Sequence, residues 1–448
     1  MTTNTYQIRT IVAGLCACLV AAASAEPANL NQEAQAKRDA RIQSWQDAKF
    51  GLFIHWGLYS IPAGVWTGKD GNHAEQNAGS YAEHIQMRRK IPNVEYAKFA
   101  DEFNPVKFNA DAWVKLAKQA GMRHIVITAK HQDGFAMYDS KVSDFNIVDA
   151  TPFKRDPMKE LATASRKQGL GFGFYYSQAR DHRHPLANWN KYGNTWDFPK
   201  RSKEDFITYL NEKAKPQIKE LLTGYGDVKV MWFDVPYNMP VEECREIAQM
   251  VRKFQPDCVF NSRLGGEVWD YRTLGDNEVS KKLLSEPWET CMTMNDSWGY
   301  HKLDHNWKST ETLVRHLVDI VSKGGHLLLN IGPKADGTIP EPSVTRLKEM
   351  GAWLKINGEA IYGTKASPCG IPNWGRVTTK ENGDNTTLYL HVFDWAKDRQ
   401  IQLPVSNKML SCSLLADSSR SLQTQSSTQG LKVSLTGDAP DAICSVIK

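Results

Sequence analysis

The run Val228 to Pro236, VKVMWFDVP, is apolar and β-prone and ends on an acid, Asp234, beside Trp232 and Phe233 and ahead of a proline. A carboxylate closing a buried strand between aromatic rings is placed for nucleophilic or proton-transfer chemistry; the plainer alternative is an Asp that caps the following turn. Polar residues close other β-prone runs: His55, Lys130 with His131, Tyr175 with Tyr176, and Arg263. In a parallel α/β barrel such ends converge on one face. Carboxylates, aromatic rings, His and Arg together suit cleavage of a glycosidic bond. One acid attacks or activates water, another protonates the leaving oxygen, rings pack on sugar carbons, and His and Arg reach hydroxyls. Spacing does not rank the second acid: Glu267, Glu278, Glu286 and Glu289 are all candidates. A lone strand-end His is more often a hydrogen-bonded core residue, so the shared position carries more weight than any member.

Those ends require alternating strands and helices. Asn31 to Lys49 has helical character, Phe50 to Ile54 reads as a first buried strand, and a loop rich in Gly, Asn and His follows from Gly64 to Ser80. Trp113, Leu116, Ala117 and Ala120 recur at helical spacing, with Asn109 placed as a cap and Gly121 as a stop. His124 to Lys130 is a strand. Helix and strand then repeat over Pro157 to Gln168 and Leu170 to Tyr176. A helix capped by Ser202 and Asp205, bent near Pro216, leads to the Asp234 strand, and Glu242 to Phe254 leads to Cys258 to Asn261. Leu313 to Val321 precedes a last strand, His326 to Ile331, and Val344 to Ile356 closes the series. The alternation predicts a (β/α)8-like barrel, distorted or incomplete because eight clean strands cannot be counted; an open doubly wound sheet is the fallback. No glycine fingerprint for a dinucleotide or P-loop occurs. Beyond Thr364, short β-prone runs at Thr386 to Phe393, Gln400 to Pro404, Leu410 to Leu415, Leu431 to Leu435 and Ala442 to Ile447 predict a small antiparallel β-sandwich, with a surface hairpin tip between Ser418 and Gln429.

The 448 residues exceed the ~250–300 at which single cores stop growing, which divides the chain into a leader (1–25), a barrel domain (26–363) and a β-sandwich domain (364–448). The net charge of +5 is not gathered in a basic block, so nothing points to nucleic acid. Arg9, the apolar run Ile11 to Ala23 and the small residues Ala23, Ser24 and Ala25 read as a cleaved secretory signal, shorter than the ~20 apolar residues of a membrane span. The protein is therefore expected in the periplasm or secreted; Leu15 to Cys18 only faintly resembles a lipoprotein box. Cleavage leaves Cys244, Cys258, Cys291, Cys369, Cys412 and Cys444, with Cys412–Cys444 and Cys244–Cys258 as possible disulfides in an oxidising compartment, against buried thiols as the alternative. None has zinc-site spacing. His182 and His184 in DHRHP, and His301 and His305, lack a third partner and read as solvent or substrate contacts.

The blocks KFGLFIHWGLYSIPA, KHQDGF, WFD, WETCMTMNDSWGY and GGHLLLNIGP resemble, from Lys49 to Tyr362, the glycoside hydrolase family 29 α-L-fucosidases. The resemblance implies retaining hydrolysis of terminal α-L-fucosyl residues on a barrel with a C-terminal β-sandwich, a fucosylated glycan as substrate, and no metal or organic cofactor. By position, Asp234 matches the nucleophile and Glu289 the acid/base, with Glu278 in GDNE as a rival alignment. His55, His131, Tyr175, Trp232, Arg263 and Trp298 match fucose-pocket positions, and Glu83 an acidic sugar contact. His84 stands where many relatives have Trp, and Gln132 replaces a second His, so the rim and its aglycone preference are expected to differ. Retention predicts the two carboxyl groups roughly 5–5.5 Å apart, with Glu289 holding a proton and Asp234 ionised. The sugar's methyl group would meet Trp298 or Phe53, and since an apolar pocket rejects an added hydroxyl by only about a hundredfold, slow α-L-galactoside hydrolysis is expected. Another barrel glycosidase, or a fucose-binding protein with a decayed site, are the alternatives.

Overall fold

The computed structural model describes residues 35–67, 73–75, 81–189, 192–395, 399–428 and 430–448; the expected leader and part of the Gly64 to Ser80 loop lie outside them. Eight parallel strands run in chain order around a ring: β1 (Phe50–Ile54), β2 (His124–Lys130), β3 (Gly171–Ser177), β4 (Val230–Asp234), β5 (Val259–Phe260), β6 (Arg272–Thr273), β7 (Trp288–Thr293) and β8 (His326–Ile331). β1 pairs β8 on one side, Leu52 with Leu329, and β2 on the other, Leu52 with Ile125. The ring closes between β5 and β6 through a single bridge, Asn261 with Tyr271, where Asp270 N donates to Phe260 O at 3.0 Å and Ser262 N to Tyr271 O at 2.9 Å. The expected barrel is present, and its distortion is this seam of two-residue strands. Cys258 to Asn261 marks β5; the sequence count falls short at β6, where two residues give no periodicity to read, and at β7.

Strands covered on both faces read as continuous apolar runs, but their side chains still alternate. Phe50, Leu52, Ile54, Ile125, Ile127, Phe174, Tyr176, Met231 and Phe233 face outward into the helix layer. Phe53, Val126, Tyr175, Val230, Trp232, Cys291 and Leu328 fill the interior. The alternation separates neighbours that the sequence groups together. Tyr175 enters the barrel, while Tyr176 Oη donates to Gln217 Oε1 at 2.8 Å in the helix layer.

The helices are α1 (Gln35–Ala48), α2 (Ala110–Gln119), α3 (Pro157–Gln168), α4 (Lys203–Tyr209), α5 (Lys215–Gly224), α6 (Val241–Phe254), α7 (Thr310–Ser322) and α8 (Glu341–Asn357). Asn109 Oδ1 accepts Ala112 N at 2.9 Å ahead of α2, Ser202 and Asp205 form a reciprocal capping box on α4, and Gly169 ends α3 at φ 76°. The bend expected near Pro216 is a π-turn over Leu210–Ala214. Widening the helix by one residue there lets a proline without N–H start α5. No α-helix joins β5 to β6 or β6 to β7.

Beyond the barrel, two three-stranded antiparallel sheets face each other over Trp374, Val377, Leu390, Ile401, Leu403, Val433 and Ile447. One orders β9 (Gly375–Asn382), β10 (Asn385–Val392) and β14 (Ser445–Ile447); the other orders β11 (Gln400–Leu403), β13 (Gly430–Ser434) and β12 (Thr424–Ser427). Two expectations change. Leu410 to Leu415 contributes only isolated bridges, Ser413 with Ser421 and Leu414 with Ile447, and the polar stretch taken for a hairpin tip contains β12. All six described cysteines are free thiols, four of them buried, so neither suggested disulfide is present. No described helix is long and apolar enough to cross a membrane.

Candidate active site

Asp234 is the fifth and last residue of β4, so five residues of strand carry it to the open C-terminal end of the barrel. Val235, β-branched yet at φ 53°, turns the chain away at once, a backbone strain of the kind found at functional sites. The carboxylate is held from two sides. Tyr175 Oη donates to Oδ2 at 2.8 Å and Arg263 Nη1 donates to Oδ1 at 3.2 Å. Both donors rest on one ring: Tyr175 stacks on Trp232 with centroids 5.5 Å apart, and the Arg263 guanidinium lies 4.9 Å from the Trp232 centroid.

A cavity of about 580 Å³ opens beside Asp234, lined by seven expected residues: His55, Glu83, His131, Tyr175, Trp232, Arg263 and Trp298. Phe53 also lines it, so with Trp298 it offers apolar surface. Gly332 permits this wall, because a Cβ there would lie 2.5 Å from Tyr300 N and 2.8 Å from Trp298 O. Asn330 orders the region. Its Nδ2 donates to Trp298 O at 2.7 Å, leaving Oδ1 to accept from His55 Nδ1 at 2.7 Å. That fixes the His55 tautomer and leaves Nε2 as an acceptor, since burial lowers the His55 pKa to about 4. Burial also drives His131, stacked on Tyr175, well below its ordinary value. Two neutral imidazoles suit sugar hydroxyls. Glu83 is 3% exposed; Oε2 accepts Gly299 N at 2.9 Å, Oε1 is buried without a hydrogen-bond partner, and burial raises its pKa to about 7.

The structure does not bring Glu289 to this site. Glu289 is the second residue of β7, opposite His326 at the start of β8, and so lies at the closed N-terminal end of the barrel. It is 0% exposed and does not line the cavity. Its Oε1 accepts Trp232 Nε1 at 2.8 Å and Thr273 Oγ1 at 3.2 Å, and of these residues only Trp232 lines the cavity. The sequence expectation of Glu289 as proton donor is corrected on that geometry. Nor does the rival Glu278 line the cavity: it is exposed and turned back to accept Gly275 N at 2.9 Å. Glu286 pairs with Arg272, and Glu267 sits in a turn at φ 57°. The carboxylate that does line the cavity from this loop is Asp276, whose Oδ1 accepts Arg263 Nη2 at 2.8 Å. The GDNE block contains it, two residues before the Glu weighed from sequence.

One other strand-end candidate, Lys130, and the DHRHP histidines serve the scaffold. Lys130 turns outward to the Arg180 carbonyl and Asp181, His182 lies against Trp196, and His184 against Tyr209. Sequence reasoning missed Arg180, Tyr192 and Tyr237, which line the cavity mouth; the Pro-Tyr just past Asp234 was the available signal for Tyr237.

The α-L-fucosidase family model matches residues 17–359. Human plasma α-L-fucosidase is 34% identical over 342 residues, covering 73% of this chain and 70% of its own, and the Branchiostoma floridae α-L-fucosidase is 32% identical over 388 residues, covering 81% and 82%. Among solved structures, the α-L-fucosidase of Vibrio sp. strain EJY3 superposes with a TM-score of 0.81 at 36% identity, covering 94% of this chain and 74% of that one. The Lactobacillus casei enzyme in complex with its α-L-fucose product does so at 0.65 and 41% identity, covering 71% and 99%. The family model over most of the chain, with these relatives matched along most of its length, places the chain in the α-L-fucosidase family, glycoside hydrolase family 29.

Proposed function

We propose that the enzyme releases terminal α-L-fucose from glycans by double displacement, with Asp234 as nucleophile and Asp276 in the acid/base role. The observation that carries this reading is Arg263, whose one guanidinium touches both carboxylates at the cavity mouth. In the first step an Asp234 oxygen bonds to the anomeric carbon as the glycosidic bond breaks, and the proton of Asp276 passes to the leaving oxygen. In the second, Asp276 takes a proton from water, the water oxygen bonds to the anomeric carbon, and Asp234 leaves as a carboxylate. Arg263 thus balances whichever carboxylate is charged, Asp234 before the ester forms and Asp276 after it.

Glu83 supports the assignment by contrast. It is sealed in the cavity wall, whereas a leaving group must depart toward solvent, and Asp276 is exposed at the rim. The free Oε1 of Glu83 then serves a fucose hydroxyl, as do His55 and His131, while Phe53 and Trp298 face the methyl group. Residues 1–25 act as an export leader to periplasm or medium, and residues 26–363 and 364–448 as the catalytic and β-sandwich domains.

Azide rescue tests the acid/base role. Asp276→Ala should lose about 10²–10⁴-fold in kcat/KM on substrates with poor leaving groups, while its turnover of an aryl fucoside with a good leaving group should recover with azide, yielding fucosyl azide of retained configuration. Rescue of Glu289→Ala in its place would overturn the assignment.

A further inference from the structure

Several deeply buried cations meet carboxylates: Arg41 meets Asp270, Lys130 and Lys213 meet Asp181, Lys215 meets Glu243, and Lys323 meets Asp319. Arg180 differs. It lines the cavity, is 5% exposed, and has no carboxylate within ion-pair distance among the described residues. Its Nη1 donates to Gln132 Oε1 at 2.9 Å, and its Nε is buried with no partner. The guanidinium lies 4.3 Å from the Tyr192 ring centre and 4.9 Å from that of Tyr237, with the two rings 5.1 Å apart. Ring faces offset part of the desolvation of a cation, but they do not supply a counter-ion.

The position of this group says what would complete it. Asp234 and Asp276 mark where the glycosidic bond breaks, and fucose itself carries no charge. Tyr237, 46% exposed, belongs to the mouth through which the rest of the substrate extends. Gln132 holds Arg180 in place and is itself 3.3 Å from His84 Nε2, so the wall is a connected set of side chains. A guanidinium presents a planar fork of N–H donors that matches a carboxylate or a sulfate ester. We propose that Arg180, framed by Tyr192 and Tyr237, is a subsite for an anionic substituent on the sugar that leaves, so that the enzyme favours fucose attached to acidic glycans. This deepens the fucosidase reading and rests on it.

The test compares kcat/KM for three fucosyl disaccharides: one with a neutral leaving sugar, one with a sulfate ester on that sugar, and one with the corresponding uronic acid. At least one anionic substrate should exceed the neutral one by about tenfold. Which arm responds identifies the substituent. The ratio should shrink with added salt, fall toward one in Arg180→Gln and be partly kept in Arg180→Lys. A ratio near one in the unaltered enzyme, or a ratio that Arg180→Gln leaves intact, overturns the subsite. p-Nitrophenyl α-L-fucoside is assayed alongside. Turnover there with a ratio near one sinks the subsite alone, whereas no turnover sinks the reading beneath it.

Discussion

The two ends of the barrel carry nearly the same kinds of side chain and do opposite things with them. At the open end Asp234, Asp276, Glu83, His55, His131 and Trp298 surround a cavity. At the closed end Glu289, His326, His124, Trp45 and Tyr271 are packed together: Trp45 stacks on Tyr271 at 4.0 Å and on His326 at 4.7 Å, and His124 lies 4.9 Å from His326. Burial raises Glu289 to about 7, as it does Glu83. A raised carboxyl pKa in a buried, aromatic setting therefore does not identify a catalytic acid. Room beside the group for a reacting atom does.

The comparison breaks most sharply with Asp234→Ala. Turnover of an aryl fucoside should fall by at least about 10⁴-fold, with the melting temperature little changed because the residue sits at the cavity edge. A surviving rate within tenfold of the unaltered enzyme would remove the open end from the chemistry. Glu289→Ala should behave the other way round. Deleting it leaves the Trp232 and Thr273 donors unpaired in a sealed core, so unfolding in denaturant should show a loss of about 2–4 kcal/mol, and added azide should restore no activity.

Tyr175→Phe is milder. It removes one hydrogen bond to the Asp234 carboxylate but keeps the stack on Trp232, so kcat/KM should drop by about tenfold or somewhat more. An unchanged pH–rate profile and rate would show that Tyr175 only fills space. The smallest effect is the pH dependence of stability. Glu289 rises from 4.5 to about 7 on folding, so the folded chain holds the extra proton between those values. The stability this contributes is full below 4.5 and is lost as pH climbs through 7. Melting curves of Glu289→Gln, which keeps an acceptor for Trp232, should therefore decline less steeply from pH 5 to 8 than those of the unaltered protein. Parallel slopes would show that Glu289 keeps an ordinary affinity for its proton.

Strand position also explains what could be read in advance. Asp234 follows four strand residues and His131 follows the seven of β2, so each had to emerge at the C-terminal end. Glu289 follows Pro287 and one strand residue, Trp288, and that early rank places it at the opposite end; block similarity alone carries no such information. Capped helices with a stop, such as α2 between Asn109 and Gly121, were legible because local chemistry sets their limits. β6 and β7 were not, because the two residues of β6 reveal no period and β7 is recognised only through its pairing with β6 and β8. The thiols stood between two readings for a related reason, and the buried-thiol reading is the one the structure holds. Cysteine spacing permits a bridge, but only the packed core decides whether two sulfurs meet.

Where the ring closes, one bridge and a pair of backbone bonds join β5 to β6, with no helix between them in the chain and α1 packed across the seam through Arg41 and Trp45. From Leu274 to Pro287 only Ser280 is buried, and that stretch includes Asp276. Lengthening or rewriting that span asks little of the surrounding architecture, so the strand-borne wall of the cavity can stay fixed while the segment that carries Asp276 is retailored.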